Sequence, residues 1–219
     1  MARVRIAVIG ASGWLGGAIV REALARGHEV TAIGRHADRL VEVEGATVRT
    51  ADATNADELA AAITGHDAVV SSVTDRTGPD RSVIPTVART LVEAVPRAAV
   101  PRLAVMGGGG SLLAPDGRRL VDQEGFPDQY KPEALAQGEA LEILRGSPAT
   151  LDWTYLSPPP HDLKPGEKQG GYRVGGDDRP VTDEQGQSSI TSGDLASAMV
   201  DELERPQFSR QRFTAAYAP

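Results

Sequence analysis

The stretch Val4-Arg5-Ile6-Ala7-Val8-Ile9-Gly10-Ala11-Ser12-Gly13-Trp14-Leu15-Gly16 decides the fold. Its first half is short, apolar and β-branched, as a strand buried on both faces of a parallel sheet should be. Its second half places glycines at spacings of three and three. Beyond it, Gly13 to Arg26 reads as a helix, with Leu15, Ile19 and Ala23 on one face and Gly27 as its stop. Between a strand and a helix each glycine has its own duty. Gly10 permits the tight turn, Gly13 lets backbone approach a pyrophosphate, and Gly16 lets the helix pack closely on the sheet. Free N–H groups from Ser12 to Leu15, together with the positive end of the helix, favour that anion.

The same unit recurs along the chain. Strands are expected at Val30 to Ile33, Thr47 to Ala51, Ala68 to Ser72, Leu103 to Met106 and Leu151 to Leu156. Helices are expected at Ala56 to Ile63, Arg81 to Val95 (with Pro85 near the first turn) and Pro132 to Leu144. Repeated strand–helix–strand units imply an α/β fold, a doubly wound parallel sheet of the Rossmann type. After Ser157 the texture changes. Pro158-Pro159-Pro160 and the glycine-rich run from Gly166 to Gly176 read as a long loop, with a short strand around Tyr172 to Val174. Thr191 and Asp194 read as a capping box opening a helix from Leu195 to Leu203, and Arg212 to Ala216 as a last strand. The expectation is one domain over residues 1–219, with 157–219 forming a small C-terminal lobe on the substrate side.

Composition narrows the function. The chain has 219 residues, 40% hydrophobic and 24% charged, with a net charge of −7, which argues against a nucleic-acid or anionic-membrane surface. It has no cysteine, which excludes disulfides and thiolate chemistry. No apolar run approaches the ~20 residues that span a bilayer, and the N-terminus lacks a signal-peptide pattern. A cytoplasmic protein, monomeric or homodimeric, acting on a small molecule is the expectation. No metal is expected, because no two histidines or clustered carboxylates stand at ligand spacing.

The end of the second strand bears on the nucleotide. A site for NAD usually carries Asp or Glu there to bind the ribose 2′-hydroxyl. Here the strand ends Ile33-Gly34-Arg35-His36. Arg35 suits a 2′-phosphate and can lie over the adenine, with Arg39 a weaker second candidate, so NADPH is expected ahead of NADH.

Gly10-Ala11-Ser12-Gly13 with Gly16, Arg35, Asp52-Ala53-Thr54, Gly65 to Val70, Leu156 to Pro159, Tyr130 to Leu135 and Arg210 to Thr214 together resemble a known family. They look like the atypical short-chain dehydrogenases of the NAD(P)H-binding type, nearest to NADH-flavin reductases and related to biliverdin-IXβ/flavin reductases. The resemblance covers nearly the whole chain. It implies that Asp52 and Ala53 border the adenine, that Ser71, Ser72 and Val73 line the adenosine and pyrophosphate side, and that Gly107, Gly108 and Gly109, with Pro158, approach the nicotinamide. All follow strand carboxyl ends, where open α/β sheets bind ligands.

The catalytic question turns on an absence. Many short-chain dehydrogenases pair Tyr with Lys four positions on, the lysine lowering the tyrosine pKa for proton transfer. Four residues after Tyr130 is Ala134, after Tyr155 is Pro159, after Tyr172 is Gly176, and Tyr217 lies two residues from the end. This argues against alcohol dehydrogenation, and against sugar epimerisation by that machinery. What remains is direct hydride delivery to a planar acceptor such as FMN or FAD, for which the protein chiefly supplies orientation. Ser111, Tyr130 and His161 are the candidate catalytic residues: Ser111 to hydrogen-bond the carboxamide or acceptor, Tyr130 to stack or donate, His161 to supply a proton. A non-catalytic dinucleotide sensor and a specialised-pathway reductase with a non-flavin substrate stay open beside this reading.

Overall fold

Side chains alternate along the first strand, and both sides of it are buried. In the computed structural model, which describes residues 3–40, 44–75, 81–160, 162–176 and 178–218, strand β1 runs Arg5–Ile9. Ile6 and Val8 pack with Ile19, Val20 and Ala23 of helix α1 (Trp14–Ala25) and with Leu195 and Met199 of helix α5 (Ser192–Glu204). Ala7 and Ile9 face the other way, into a core built with Leu59 of α2 (Ala56–Ile63), Leu91 of α3 (Val83–Arg97) and Leu141 of α4 (Lys131–Arg145). A strand sealed on both faces is therefore apolar without interruption, as its sequence is.

The remaining strands are β2 (Glu29–Gly34), β3 (Thr47–Thr50), β4 (Ala68–Ser71), β5 (Arg102–Met106), β6 (Trp153–Ser157), β7 (Asp162–Lys164), β8 (Tyr172–Gly175), β9 (Ser189–Thr191) and β10 (Gln211–Tyr217). The main sheet has the order β3-β2-β1-β4-β5-β6-β10-β8, parallel except for β8 at one edge. From β1 the chain winds outward through β2 and β3, then returns to start again at β4. This reversal opens a crevice at the carboxyl ends of β1 and β4, the place where doubly wound sheets take ligands. In register, Ile9 stands beside Ile33 on one side and Ser71 on the other.

Element bounds differ from the expected ones by one to three residues, most at α5, which starts at Ser192 instead of Leu195. Helix α3 starts at Val83, so Pro85 is its third residue and costs no hydrogen bond. Strand β6 begins at Trp153 instead of Leu151. The sequence gives no sign of the small parallel pair β7 and β9, because three-residue strands carry no readable period. Half of the expected capping box is present: Thr191 Oγ1 accepts from the Asp194 N–H at 3.2 Å, while the Thr191 N–H donates to the Tyr217 hydroxyl instead of the Asp194 carboxylate. The Asp194 carboxylate does more than cap. Fully buried, it accepts from the N–H groups of Gln169 and Gly170, both at 2.9 Å, and from the Tyr217 hydroxyl at 2.5 Å. It thereby ties the glycine-rich loop and the last strand to the start of α5. Burial alone would raise its pKa, but these hydrogen bonds outweigh it and hold the carboxyl below its ordinary value.

Candidate active site

The site begins with the turn after β1. Gly10 has φ of +78°, and a Cβ there would stand 2.6 Å from the Ser72 carbonyl oxygen. A Cβ on Gly16 would stand 2.2 Å from the Gly10 carbonyl oxygen. Neither position can carry a side chain. At Gly13 the nearest obstacle is that same oxygen at 3.2 Å, so crowding asks less of this residue; a methyl there would chiefly occupy the space in front of the turn. The N–H groups of Ser12, Trp14 and Leu15 have no acceptor among the described residues. Bare backbone, free donors and a helix N-terminus converge on one spot, the arrangement a dinucleotide pyrophosphate requires.

A cavity of about 560 Å³ opens from this turn. Gly13, Trp14 and Leu15 form one side, and Ser72, Val73 and Thr74 after β4 form its floor. The run Gly107 to Gly110 after β5 faces them, with Pro158, Pro159 and Pro160 after β6. Phe126, Pro127, Tyr130, Glu133, Ala134 and Gln137, from α4 and the segment before it, close the outer wall. Trp14 and Tyr130 remain 38% and 57% exposed, two large rings at the rim.

The glycine run is held from beneath. Tyr155 is wholly buried; its hydroxyl accepts from the Gly108 N–H at 3.1 Å and donates to the Gln137 carbonyl at 2.9 Å. Ser157 Oγ donates to the Gly108 carbonyl at 3.0 Å. A Cβ on Gly107 would lie 1.9 Å from the Tyr155 ring, which makes that glycine obligatory. Burial pushes the Tyr155 phenol well above its ordinary pKa, so this tyrosine serves as a neutral pillar. At the far end of the run, the buried Arg212 donates to Ser111 Oγ at 2.8 Å and to the Ser111 carbonyl at 3.3 Å. The same guanidinium is bound to Asp178 at 2.5 Å.

The cavity thus brings together Gly13, Trp14, Leu15, Ser72, Val73, Gly107, Gly108, Gly109, Tyr130 and Pro158. Gly10, Ser12 and Gly16 build the turn behind it, and Ser71 is the buried last residue of β4. Arg35 lies exposed just past β2, and Asp52 and Ala53 follow β3, farther along the same edge. Hydrogen bonds from the Thr54 N–H and hydroxyl, aided by the charge of Arg35, hold the Asp52 carboxyl below its ordinary pKa. Ser111 does not line the cavity; its hydroxyl is taken up by Arg212. His161 lies outside the described residues.

Several lining residues escape sequence reasoning: Thr74, Met106, Phe126, Pro127, Glu133, Gln137 and Leu163. Gln137 does leave a trace. It falls on the stripe of Leu141 and Leu144, four and seven positions on, where an amide interrupts a buried face. Glu133 receives a hydrogen bond from the Thr74 hydroxyl, and nothing in the sequence links these two positions. Among the described lining residues, Tyr130 and Glu133 alone carry an ionisable side chain, and no group of three or more described side chains could hold a metal ion.

Known proteins share this arrangement of elements. The sequence profile of the NAD(P)H-binding family matches residues 10–206. The uncharacterized protein YwnB of Bacillus subtilis is 37% identical over 214 residues, 96% of this chain and 97% of its own. A "putative epimerase" of Bacteroides thetaiotaomicron superposes with a TM-score of 0.88 at 37% identity, over 100% of this chain and 99% of the other. A "putative NADH-flavin reductase" of Streptococcus pneumoniae gives 0.86 at 34% identity, over 98% and 99%. No helix among the described residues is long and apolar enough to cross a membrane. With its glycine turn, its crevice at the sheet reversal and these full-length relatives, the chain belongs to the NAD(P)H-binding family.

Proposed function

We propose that this protein is an NADPH-dependent reductase that passes hydride directly to a flavin or a similar planar, conjugated small molecule. The observation that carries the reading is the cavity itself. It runs without interruption from the pyrophosphate turn to a rim of Trp14, Phe126 and Tyr130, so a coenzyme on the turn and a flat acceptor under the rim would share one cleft. The name carried by the Streptococcus relative points the same way.

The amides of Ser12, Trp14 and Leu15 would hold the pyrophosphate, and Arg35 the adenosine 2′-phosphate. Ser72 and Val73 would border the ribose, while Gly107 and Gly108, fixed by Tyr155 and Ser157, would seat the nicotinamide beside Pro158. A bound dihydronicotinamide supplies the hydride. The protein supplies a rigid seat, a dry wall of Met106, Leu163 and prolines, and aromatic faces for the acceptor. Lys131, next to the exposed Tyr130, is bound to Asp128 at 2.8 Å, and Tyr130 has no lysine four residues on. These features support hydride transfer without a Tyr–Lys dyad and count against the epimerase reading.

The test is steady-state oxidation of NADPH and NADH with FMN, FAD or 1,4-naphthoquinone as acceptor. Turnover with at least one acceptor, faster at low NADPH than at low NADH, is expected. Saturable NADPH binding with no turnover on any of them would replace the reductase by a dinucleotide sensor.

A further inference from the structure

The run Gly107 to Gly110 accounts for most of its own polar groups, and the exceptions are informative. The Gly107 N–H donates to Leu156 O, the Gly108 N–H to Tyr155, and the carbonyls of Gly108, Gly109 and Gly110 accept from Ser157, Leu112 and Val121. The N–H groups of Gly109 and Gly110 have no acceptor among the described residues. Gly110 is a buried residue and Gly109 a half-buried one, and a donor left without a partner costs about 1–3 kcal/mol where water is excluded. Such donors are rare in native proteins, and a catalytic role, a bound ion or an ordered water is what usually accounts for them.

Both residues line the cavity, and both must be glycine. A Cβ on Gly109 would lie 2.7 Å from the Pro158 carbonyl oxygen, and one on Gly110 would lie 2.6 Å from the Ala134 Cβ. The wall at this point is therefore main chain only. It cannot drift, because Tyr155 and Ser157 grip the preceding residue and Arg212 grips the following one.

Resting on the reductase reading, we propose that the amides of Gly109 and Gly110 bind the carbonyl oxygen of the acceptor and stabilise the charge that hydride transfer places there, as a tyrosine hydroxyl does where a Tyr–Lys dyad is present. The acceptor class follows: a conjugated molecule with a carbonyl oxygen in line with the atom that takes hydride, as in a quinone or the pyrimidine side of a flavin. Hydride forms one new bond to the acceptor while the dihydronicotinamide is oxidised. The displaced π electron pair moves to the carbonyl oxygen, between two fixed donors that need no reorganisation. A proton from water then neutralises that oxygen, so no acidic side chain is needed.

The experiment is NMR of the full-length protein with ¹⁵N-labelled glycine, first with NADP⁺ alone and then with NADP⁺ plus FMN or 1,4-naphthoquinone, whichever is turned over. Saturating NADP⁺ is expected to move the Gly13 resonance and to leave Gly109 and Gly110 nearly in place. Adding the acceptor is expected to shift the Gly109 and Gly110 amide protons downfield and slow their exchange. Downfield shifts complete with NADP⁺ alone would assign these donors to the nicotinamide carboxamide and overturn the proposal. So would unmoved resonances at acceptor saturation in a sample that turns over. Absence of both NADP⁺ binding and turnover would remove the reductase reading itself, a result distinct from either.

Discussion

Two glycine turns face each other across the cavity, and they need their glycines for different reasons. In Gly10 to Gly16 the obstacle to a side chain is backbone: Gly16 is pressed on the Gly10 carbonyl of the same turn, and Gly10 on the Ser72 carbonyl after β4. In Gly107 to Gly110 three of the obstacles are side chains from other elements: the Tyr155 ring, Gln137 and Ala134. The first turn presents an anion with amides it gets almost free from helix geometry. The second is shaped by β6, α4 and β10, and acts only as well as those elements hold it.

The contrast is broken most severely by Gly16→Ala. Its methyl meets backbone that cannot move aside, so stability should fall by about 3 kcal/mol and coenzyme binding should vanish. Gly107→Ala should cost about as much alone, but its obstacle is removable. Combining it with Tyr155→Leu should recover a coupling of roughly 0.5–3 kcal/mol in a double-mutant cycle, read from urea unfolding. Additivity of the two substitutions would mean that the ring does not set the glycine requirement.

Next in size is Arg212→Gln. Losing the charged donor to Ser111 and Asp178 should cost about 1.5–3 kcal/mol. Acceptor turnover should drop while NADPH affinity stays near that of the unaltered protein, since Arg212 grips Ser111 at the far end of the second turn, beyond the glycines that would seat the nicotinamide. Equal losses in both would refute that division. Arg35→Asp lies outside both turns and should leave stability unchanged while reversing the NADPH/NADH preference. A retained charge-assisted bond of about 1.5–3 kcal/mol corresponds to roughly 10- to 150-fold; an unchanged preference would end the 2′-phosphate assignment.

The smallest effect is one of pH. Burial acts to raise the Asp178 pKa, but Arg212 and Arg145 outweigh it and hold the carboxyl below its ordinary value. A depressed carboxylate stabilises the fold above its unfolded pKa of about 4 and loses that contribution as pH falls through the lower folded value. The Asp178 side chain is 40% exposed, so solvent screening keeps the effect under about 1 kcal/mol. The Tm of Asp178→Asn should decline less steeply than that of the unaltered protein below pH 4; parallel curves would deny Asp178 its part in the anchor.

The same contrast explains what could be read from the chain. The phosphate turn is local, so every residue that shapes it lies within a few positions or at the next strand end, and its glycine spacing is visible directly. The sheet follows, because strands sealed on both faces leave continuous apolar runs and the helices α1, α2 and α4 run up to Gly27, Gly65 and Gly146. Arg212 and Ser111 are 101 residues apart, and Thr74 and Glu133 are 59 apart. No pattern joins such positions until the fold does. Ser111 shows the difficulty well: its place after the glycines suggests chemistry, while its hydroxyl is bound by a buried arginine from the last strand. The strands β7 and β9 are hidden for another reason: each is three residues long, too short to show a period.

Isothermal titration of the folded protein with NADPH, and separately with NADH, tests most directly the claim that the amides of the first turn hold a nicotinamide dinucleotide. Saturable one-to-one binding, tighter for NADPH and abolished in Gly16→Ala, is the predicted result. No saturable heat with either coenzyme, from protein whose circular dichroism and cooperative melting show it to be folded, would contradict the account.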